Sequence, residues 1–383
     1  MAPSDQGHKA QLELVRKSKF VIGVETEAPL AVYNKHGVLL ENSAALAKLA
    51  RTFNKKGLPA YASALDEEHD HTRWAITIDT SIEVGGNLTG IGSPIEIKSP
   101  AIKISRENRE ALFRKMWQLI EHRGVPSIEY WKMANNHIHF SLEQHQSFPL
   151  AWAQKLAFCV IYFERAIDHL IPAMTHQTDT VRPGGWKHCD RYTKRNRVRP
   201  ESVDYPVDDL ASCWAWIRSM QSIQQLSNLI CYDEDNWRRR NNQQHKYWKW
   251  NFKGLNYTTI EFRHMPPTRN AGESLDWIDF LKSFVKAAGR VDAAKLDDAA
   301  DAKTSFREAL DLSLYYDQEQ VKAMEHSWAA DNYNPALTLD GYNAGLTLND
   351  LSQFMGKSVD EKFWGRLVGL RDQLEAELAA LPP

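Results

Sequence analysis

Three short segments of this chain place chemically capable side chains two residues apart: Glu25-Thr-Glu27, His137-Ile-His139 and Glu261-Phe-Arg263. Each lies among β-branched and aromatic residues, as in Val21-Ile-Gly-Val-Glu-Thr-Glu27, so each reads as a strand. Strand side chains alternate faces with a period of two, so the members of each pair project from one side. Two carboxylates held that close repel unless a cation lies between them. Two imidazoles on one face can ligate a metal or, once protonated, donate to phosphate. A carboxylate beside a guanidinium can serve a metal and a developing phosphoryl charge together. Glu96, flanked by Ile95 and Ile97, and Asp79, at the end of the apolar run from Trp74, add two further candidate carboxylates.

Each motif also has an ordinary explanation. E-x-E occurs on solvent-facing strands, Asp79 can simply form a turn, H-x-H can be structural, and E-x-R can be a surface ion pair that stabilises little. The H-x-H pair could hold zinc, but no cysteine or carboxylate spacing completes a closed tetrahedral set. Together the motifs would line one sheet face with hard oxygen ligands, imidazoles and an arginine. Such a set suits Mg²⁺ or Mn²⁺, ions that bind the phosphates of ATP and keep several waters.

The elements that must carry these residues follow from patterning. Strands are expected at 19–27 (ended by Pro29), 73–79, 95–99, 128–131, 137–142 and 258–263, with Gly85-Gly86 as a turn. Helices are expected at 43–52, 105–122, 150–174, 207–232, 274–290 and 350–381. Tyr61 to His71 and 175–204 read as loops, and residues 1–18 as a flexible leader. Strands and helices alternate without a βαβ rhythm, which favours an α+β fold over a doubly wound sheet.

With 383 residues, 43% of them hydrophobic and 25% charged, the chain has globular composition and length enough for a sizeable core. Lys plus Arg total 47 against 49 Asp plus Glu, a net charge of -2 that argues against nucleic acid or an anionic membrane as the main partner. Four scattered cysteines and no signal-peptide pattern fit a reduced, cytoplasmic protein, and no run is apolar enough to span a membrane.

Two segments are basic: Arg182 to Arg199, and Arg238-Arg-Arg240 with His245, Lys246 and Lys249 among Trp237, Tyr247, Trp248 and Trp250. Basic residues interleaved with aromatics can bind single strands. In a near-neutral chain we favour phosphate binding, adenine stacking or the grip of an anionic substrate, and read Lys249 and Trp250 as nucleotide contacts. No GxxxxGK[ST] loop occurs, so P-loop chemistry is not the route.

The ordered set resembles the amidoligase family, a branch of the glutamine synthetase and glutamate–cysteine ligase superfamily. The matching pieces are Val21 to Glu27, Trp74 to Ser81, Glu96-Ile-Lys-Ser-Pro100, His137-Ile-His139, Asn251, Thr259 to Arg263 and the helix from Leu275, covering about residues 19 to 290. Asn135-Asn136 stands where the family usually has glycine before H-x-H, and Thr26 where an aliphatic residue is commoner.

The resemblance implies a catalytic domain over 19–291 and leaves 292–383 as a helical C-terminal extension. It implies a glutamine synthetase-like, curved, mostly antiparallel sheet with helices on its convex face. Its concave face would bind ATP and two or three Mg²⁺ or Mn²⁺ ions. By the same analogy Glu25, His137 and Glu261 hold the metal beside the transferred phosphate, and Glu27 and Glu96 the metal nearer the acceptor carboxylate. His139 and Arg263 contact ATP phosphates, Asp79 lies near the attacking amine, and Ser99-Pro100 fixes the backbone after the Glu96 strand.

The implied activity is ATP-dependent ligation of a small-molecule or peptide carboxylate to an amine through an acyl phosphate, releasing ADP and phosphate. The alternatives are a non-catalytic binding module on the same fold and a small-molecule kinase. Relatives in the superfamily are often oligomers, which leaves self-association open.

Overall fold

The computed structural model describes residues 4–63, 70–79, 92–103, 106–121, 135–143, 147–168, 170–171, 196, 198, 209–231, 248–302, 306–312, 348–356 and 361–380. The expected strand at 128–131, the Gly85-Gly86 turn, most of the 175–204 loop and the basic residues 182–195 and 237–246 lie outside these.

Among the described residues eight strands form one sheet. They are β1 (Phe20–Leu30), β2 (Ala60–Ala62), β3 (Trp74–Ile78), β4 (Ser93–Lys98), β5 (Ile102–Lys103), β6 (Asn136–Leu142), β7 (Trp250–Asn251) and β8 (Ile260–Met265). The order is β2-β3-β4-β1-β6-β8-β7, with β5 also paired to β1. Every pairing is antiparallel except β2 with β3. The α+β class is thus as expected, and β1 occupies the middle of the sheet. Pro29 does not end β1, because the strand pairs with β4 as far as Leu30↔Ser93.

The face opposite the E-x-E, H-x-H and E-x-R side chains is apolar. Ile22, Val24, Ile95, Ile97, Ile138, Phe140, Ile260 and Phe262 are all buried on it. Helices α1 (Ser4–Lys17), α2 (Asn42–Lys55), α3 (Arg106–Ile120), α4 (Leu150–Tyr162), α5 (Glu164–Asp168), α6 (Leu210–Ser219), α7 (Ile223–Ile230) and α8 (Ala271–Arg290) supply the covering layer. Aromatic side chains join the layers: Phe262 stacks on Trp277 of α8 at 6.2 Å, Phe20 meets Trp152 of α4 edge-on at 5.9 Å, and Phe53 of α2 meets Trp74 at 5.9 Å. The 3₁₀ turn Phe252–Tyr257 between β7 and β8 has no room for a side chain at Gly254, where a Cβ would stand 2.8 Å from the Thr259 carbonyl oxygen.

Where a loose leader is expected over 1–18, the described residues begin with a helix. Ser4–Lys17 is helical, Val15 is buried, and α1 packs against α8. The contact is close at Gly289, where an added Cβ would stand 2.5 Å from Trp152 Nε1 and 2.8 Å from Val15 Cγ2. A mostly polar helix of this kind is stabilised by a partner helix, which local composition does not reveal.

The described part of the region after residue 291 comprises α9 (Ala293–Ala302), α10 (Phe306–Ala309), α11 (Leu348–Met355) and α12 (Glu361–Ala379). It packs on the helical layer, α9 against α6 and both α11 and α12 against α8. Arg366 binds Asp276 at 2.8 Å, Arg269 binds Glu377 at 2.8 Å, and the buried pair Arg307–Asp350 ties α10 to α11. No helix among the described residues is long and apolar enough to cross a membrane.

Candidate metal and phosphate site

The strand register sets the site. Directly paired residues of antiparallel strands share a face, so three rows run across the sheet. The first is Thr77↔Glu96↔Glu27, the second Ala75↔Lys98↔Glu25↔His137, and the third Gly23↔His139↔Glu261↔Asn251. Between Asn136 and Ile138 the β6–β8 register shifts by an irregularity, leaving His137 without a direct partner on β8. Asn136, in the position before H-x-H, donates through Nδ2 to Pro266 O at 3.2 Å and Thr268 Oγ1 at 3.1 Å, tying β6 to the segment after β8. Ser99 closes the end of β4: its Oγ accepts from Val24 N at 2.9 Å and its N donates to Val24 O at 2.8 Å.

The expected carboxylates and imidazoles meet. His137 Nδ1 donates to Glu25 Oε2 at 3.0 Å and stands 3.8 Å from Glu261 Oε1, while its Nε2 stands 3.6 Å from Glu27 Oε1. His139 Nε2 is 3.4 Å from Glu25 Oε1 and 3.7 Å from Glu261 Oε1. Arg263 Nη1 donates to Glu261 Oε1, and Asn251 Nδ2 donates to Glu261 Oε2 at 2.7 Å. Glu27 accepts from the Asn135 backbone N–H at 2.9 Å and is hydrogen-bonded to Asp79, just past β3.

Among the described residues, two sets of donors each fall within 4.8 Å of one another: Glu25, His137 and Glu261, and Glu27, Glu96 and His137. Both use His137. A neutral imidazole has one lone pair, so the ring serves one set at a time.

The electrostatics identify the kind of ligand that the site favours. Burial, then the charges of Asp79 and Glu96, push Glu27 well above the carboxylate range. Burial, then the charge of Glu25, pushes Glu96 up to about 8 against the pull of Lys98. Burial also works against Glu25, but hydrogen bonds from His137 and His139 hold it well below its ordinary value. Glu261 stays low against burial because Arg263 and the two histidines face it. Burial, then Arg263, lowers His137, whereas Glu261 and Glu25 overcome burial to raise His139. Crowded carboxylates that must hold protons in the absence of a cation are the donor set a hard divalent ion neutralises. The residues fit Mg²⁺ or Mn²⁺.

The structure separates Lys249 and Trp250 from this face. Trp250 pairs with Phe262 on the apolar face and packs on Phe284 at 5.5 Å. Lys249 Nζ is bound by Asp168 at 2.7 Å and lies 3.2 Å from Glu164, both on α5. These side chains are engaged in the interior, so the expected nucleotide contacts there do not carry over.

Three further residues belong to the site. Lys98 Nζ lies 3.0 Å from Glu96 Oε2 and 3.7 Å from Glu25 Oε1. Its position two residues after Glu96 on a strand was the available signal. Thr77 is buried opposite Glu96, and its Oγ1 has no hydrogen-bond partner among the described residues; only the cross-strand register exposes it. Asn251 was visible as a motif residue, and its grip on Glu261 is supplied by the β7–β8 pairing.

A family model described as "Putative amidoligase enzyme" matches residues 19–285. Among solved structures, a bifunctional glutathione synthetase from Pasteurella multocida is similar at 14% sequence identity and a TM-score of 0.37, over 98% of this chain and 54% of that one. The chain thus spans about half the length of that protein. No curated protein matches the chain.

Proposed function

We propose, because the chain belongs to the amidoligase family, that it is an ATP-dependent ligase joining a carboxylate to an amine through an acyl phosphate. The observation that carries this reading is the pair of carboxylate–imidazole sets on one sheet face, Glu25/His137/Glu261 and Glu27/Glu96/His137. A carboxylate-binding module has no need to bury like charges together. A phosphoryl-transfer site that loads divalent ions does.

In this reading Glu25, His137 and Glu261 hold Mg²⁺ or Mn²⁺ on the phosphate side, and Glu27 and Glu96 hold it on the acceptor side, within a glutamine synthetase-like sheet. Bound there, the ions supply neutralisation of phosphoryl charge. The chain's own groups do the rest. Arg263 turns its fork of donors from Glu261 toward the phosphoryl oxygens, and His139 donates beside it. The substrate carboxylate takes the γ-phosphoryl group, ADP leaves, the amine attacks the acyl carbon, and phosphate departs. Asp79, hydrogen-bonded to Glu27, accepts a proton from the amine. Burial of Glu27, His137 and Glu261 keeps water from the base of the site, as an acyl phosphate requires.

The test is a panel of acids crossed with amines, scored by ADP release and by product mass in Mg²⁺. The expected result is ADP release that needs both an acid and an amine, with an amide product. A stable phosphorylated product without amide would make the protein a kinase instead. Absence of ATP binding at millimolar concentration with metal present would sink the proposal.

A further inference from the structure

Lys98 stands at the seam between the two donor sets. It reaches one carboxylate of each, Glu96 Oε2 at 3.0 Å and Glu25 Oε1 at 3.7 Å. Both contacts are built into the sheet. Glu96 precedes Lys98 by two residues on β4, and Glu25 is its direct cross-strand partner on β1. The other oxygen of Glu25 is held by His137 Nδ1 at 3.0 Å, so Glu25 has no further oxygen to offer at that seam. The Lys98 side chain remains 30% exposed. Its ammonium pairs with both carboxylates as a compact point charge, closer to Glu96 than to Glu25.

A divalent ion between Glu25 and Glu96 would need the same two oxygens and would sit beside a fixed positive charge. Mg²⁺ also demands near-octahedral oxygen ligation at about 2.0–2.1 Å. We infer that Lys98 is the third cation of this site: it occupies the bridging position between the two donor sets, so the chain loads two divalent ions and not three. This rests on the ligase reading above, in that it presumes the two donor sets load metal. Lys98 is a positioning residue here. It holds Glu25 and Glu96 apart without ligating metal.

The experiment counts Mn²⁺ bound by the full chain, using titration calorimetry and the electron paramagnetic resonance of free Mn²⁺, without nucleotide. Wild type is expected to bind two ions. Lys98→Met and Lys98→Gln, checked for native melting, are expected to bind a third ion or to bind Mn²⁺ at least tenfold more tightly at the second set. Lys98→Arg is expected to retain two. A count of three in wild type overturns the inference, as does an unchanged count and affinity in both neutral variants. A wild-type protein that binds no Mn²⁺ overturns the ligase reading and this inference together, which separates that failure from the others.

Discussion

Glu25 and His137 face each other directly across β1 and β6, with His137 Nδ1 3.0 Å from Glu25 Oε2. The pairing orients the ring so that its Nε2 lies 3.6 Å from Glu27 on the far side. One cross-strand contact therefore links the two donor sets. Removing either partner should disturb both.

Glu25→Gln and Glu261→Gln should each lower kcat/KM by about 10²–10³-fold, the scale of losing a preorganised charge at a phosphoryl centre. Each variant should also weaken Mn²⁺ binding at the Glu25/His137/Glu261 set. Full activity in Glu25→Gln would remove Glu25 from the proposed metal ligands.

The site should release protons when it takes up metal. Glu96, raised from 4.5 to about 8 chiefly by burial, holds a proton in the folded, metal-free protein at neutral pH. The unfolded chain has already lost that proton. Between pH about 4.5 and 8 the folded state therefore binds more protons, so this group's contribution to stability falls as pH rises through that window. Mg²⁺ should remove most of this loss, because it takes over the neutralisation of Glu96 and Glu27. Melting temperatures across the window with and without Mg²⁺, and calorimetry in buffers of different ionisation enthalpy, read both effects. A metal-free melting temperature that rises from pH 5 to 8 as steeply as that of Glu96→Gln would contradict this assignment.

Thr77→Val should stabilise the metal-free protein by about 1 kcal/mol, since it removes a buried hydroxyl that has no partner among the described residues while keeping the side chain's shape. The same variant should raise KM for one substrate if that hydroxyl receives a ligand. Urea unfolding and steady-state kinetics measure the two consequences separately.

Asn251→Ala should weaken metal binding by about 10–100-fold, as loss of a group that orients a ligand generally does. The variant frees Glu261 Oε2 from its 2.7 Å hydrogen bond without touching a proposed ligand. Mn²⁺ titration is the measurement, and an unchanged affinity would remove Asn251 from the site.

Asp350→Ala should cost about 3–5 kcal/mol, because it removes the carboxylate bound to the buried Arg307 guanidinium. Such a loss in chemical denaturation would show that the region after residue 291 folds with the rest. A loss below about 1 kcal/mol would mark it as an appendage.

Much of the site was legible in the chain because its signal is local. The period of two places Glu25 with Glu27, His137 with His139, and Glu261 with Arg263 on common faces whatever the strands pair with, and the apolar residues between them name the opposite face. The helices expected at 43–52, 105–122 and 274–290 appear within a few residues of their predicted ends for the same reason, whereas 207–232 divides at Met220 into α6 and α7 and 150–174 divides at Phe163 into α4 and α5. Facts that depend on register were not legible. Trp250 and Lys249 looked like nucleotide contacts among aromatics and bases, but pairing with β8 turns Trp250 to the core and the carboxylates of α5 claim Lys249. Thr77 becomes part of the site only because β3 pairs with β4, and Lys98 joins the two donor sets only because β4 lies against β1. The polar N-terminal segment is helical because α8 offers it a surface. The sequence by itself determined which side chains share a strand face and what chemistry they can do. Tertiary structure decided which faces meet, because cross-strand pairing and helix docking join residues far apart in the chain.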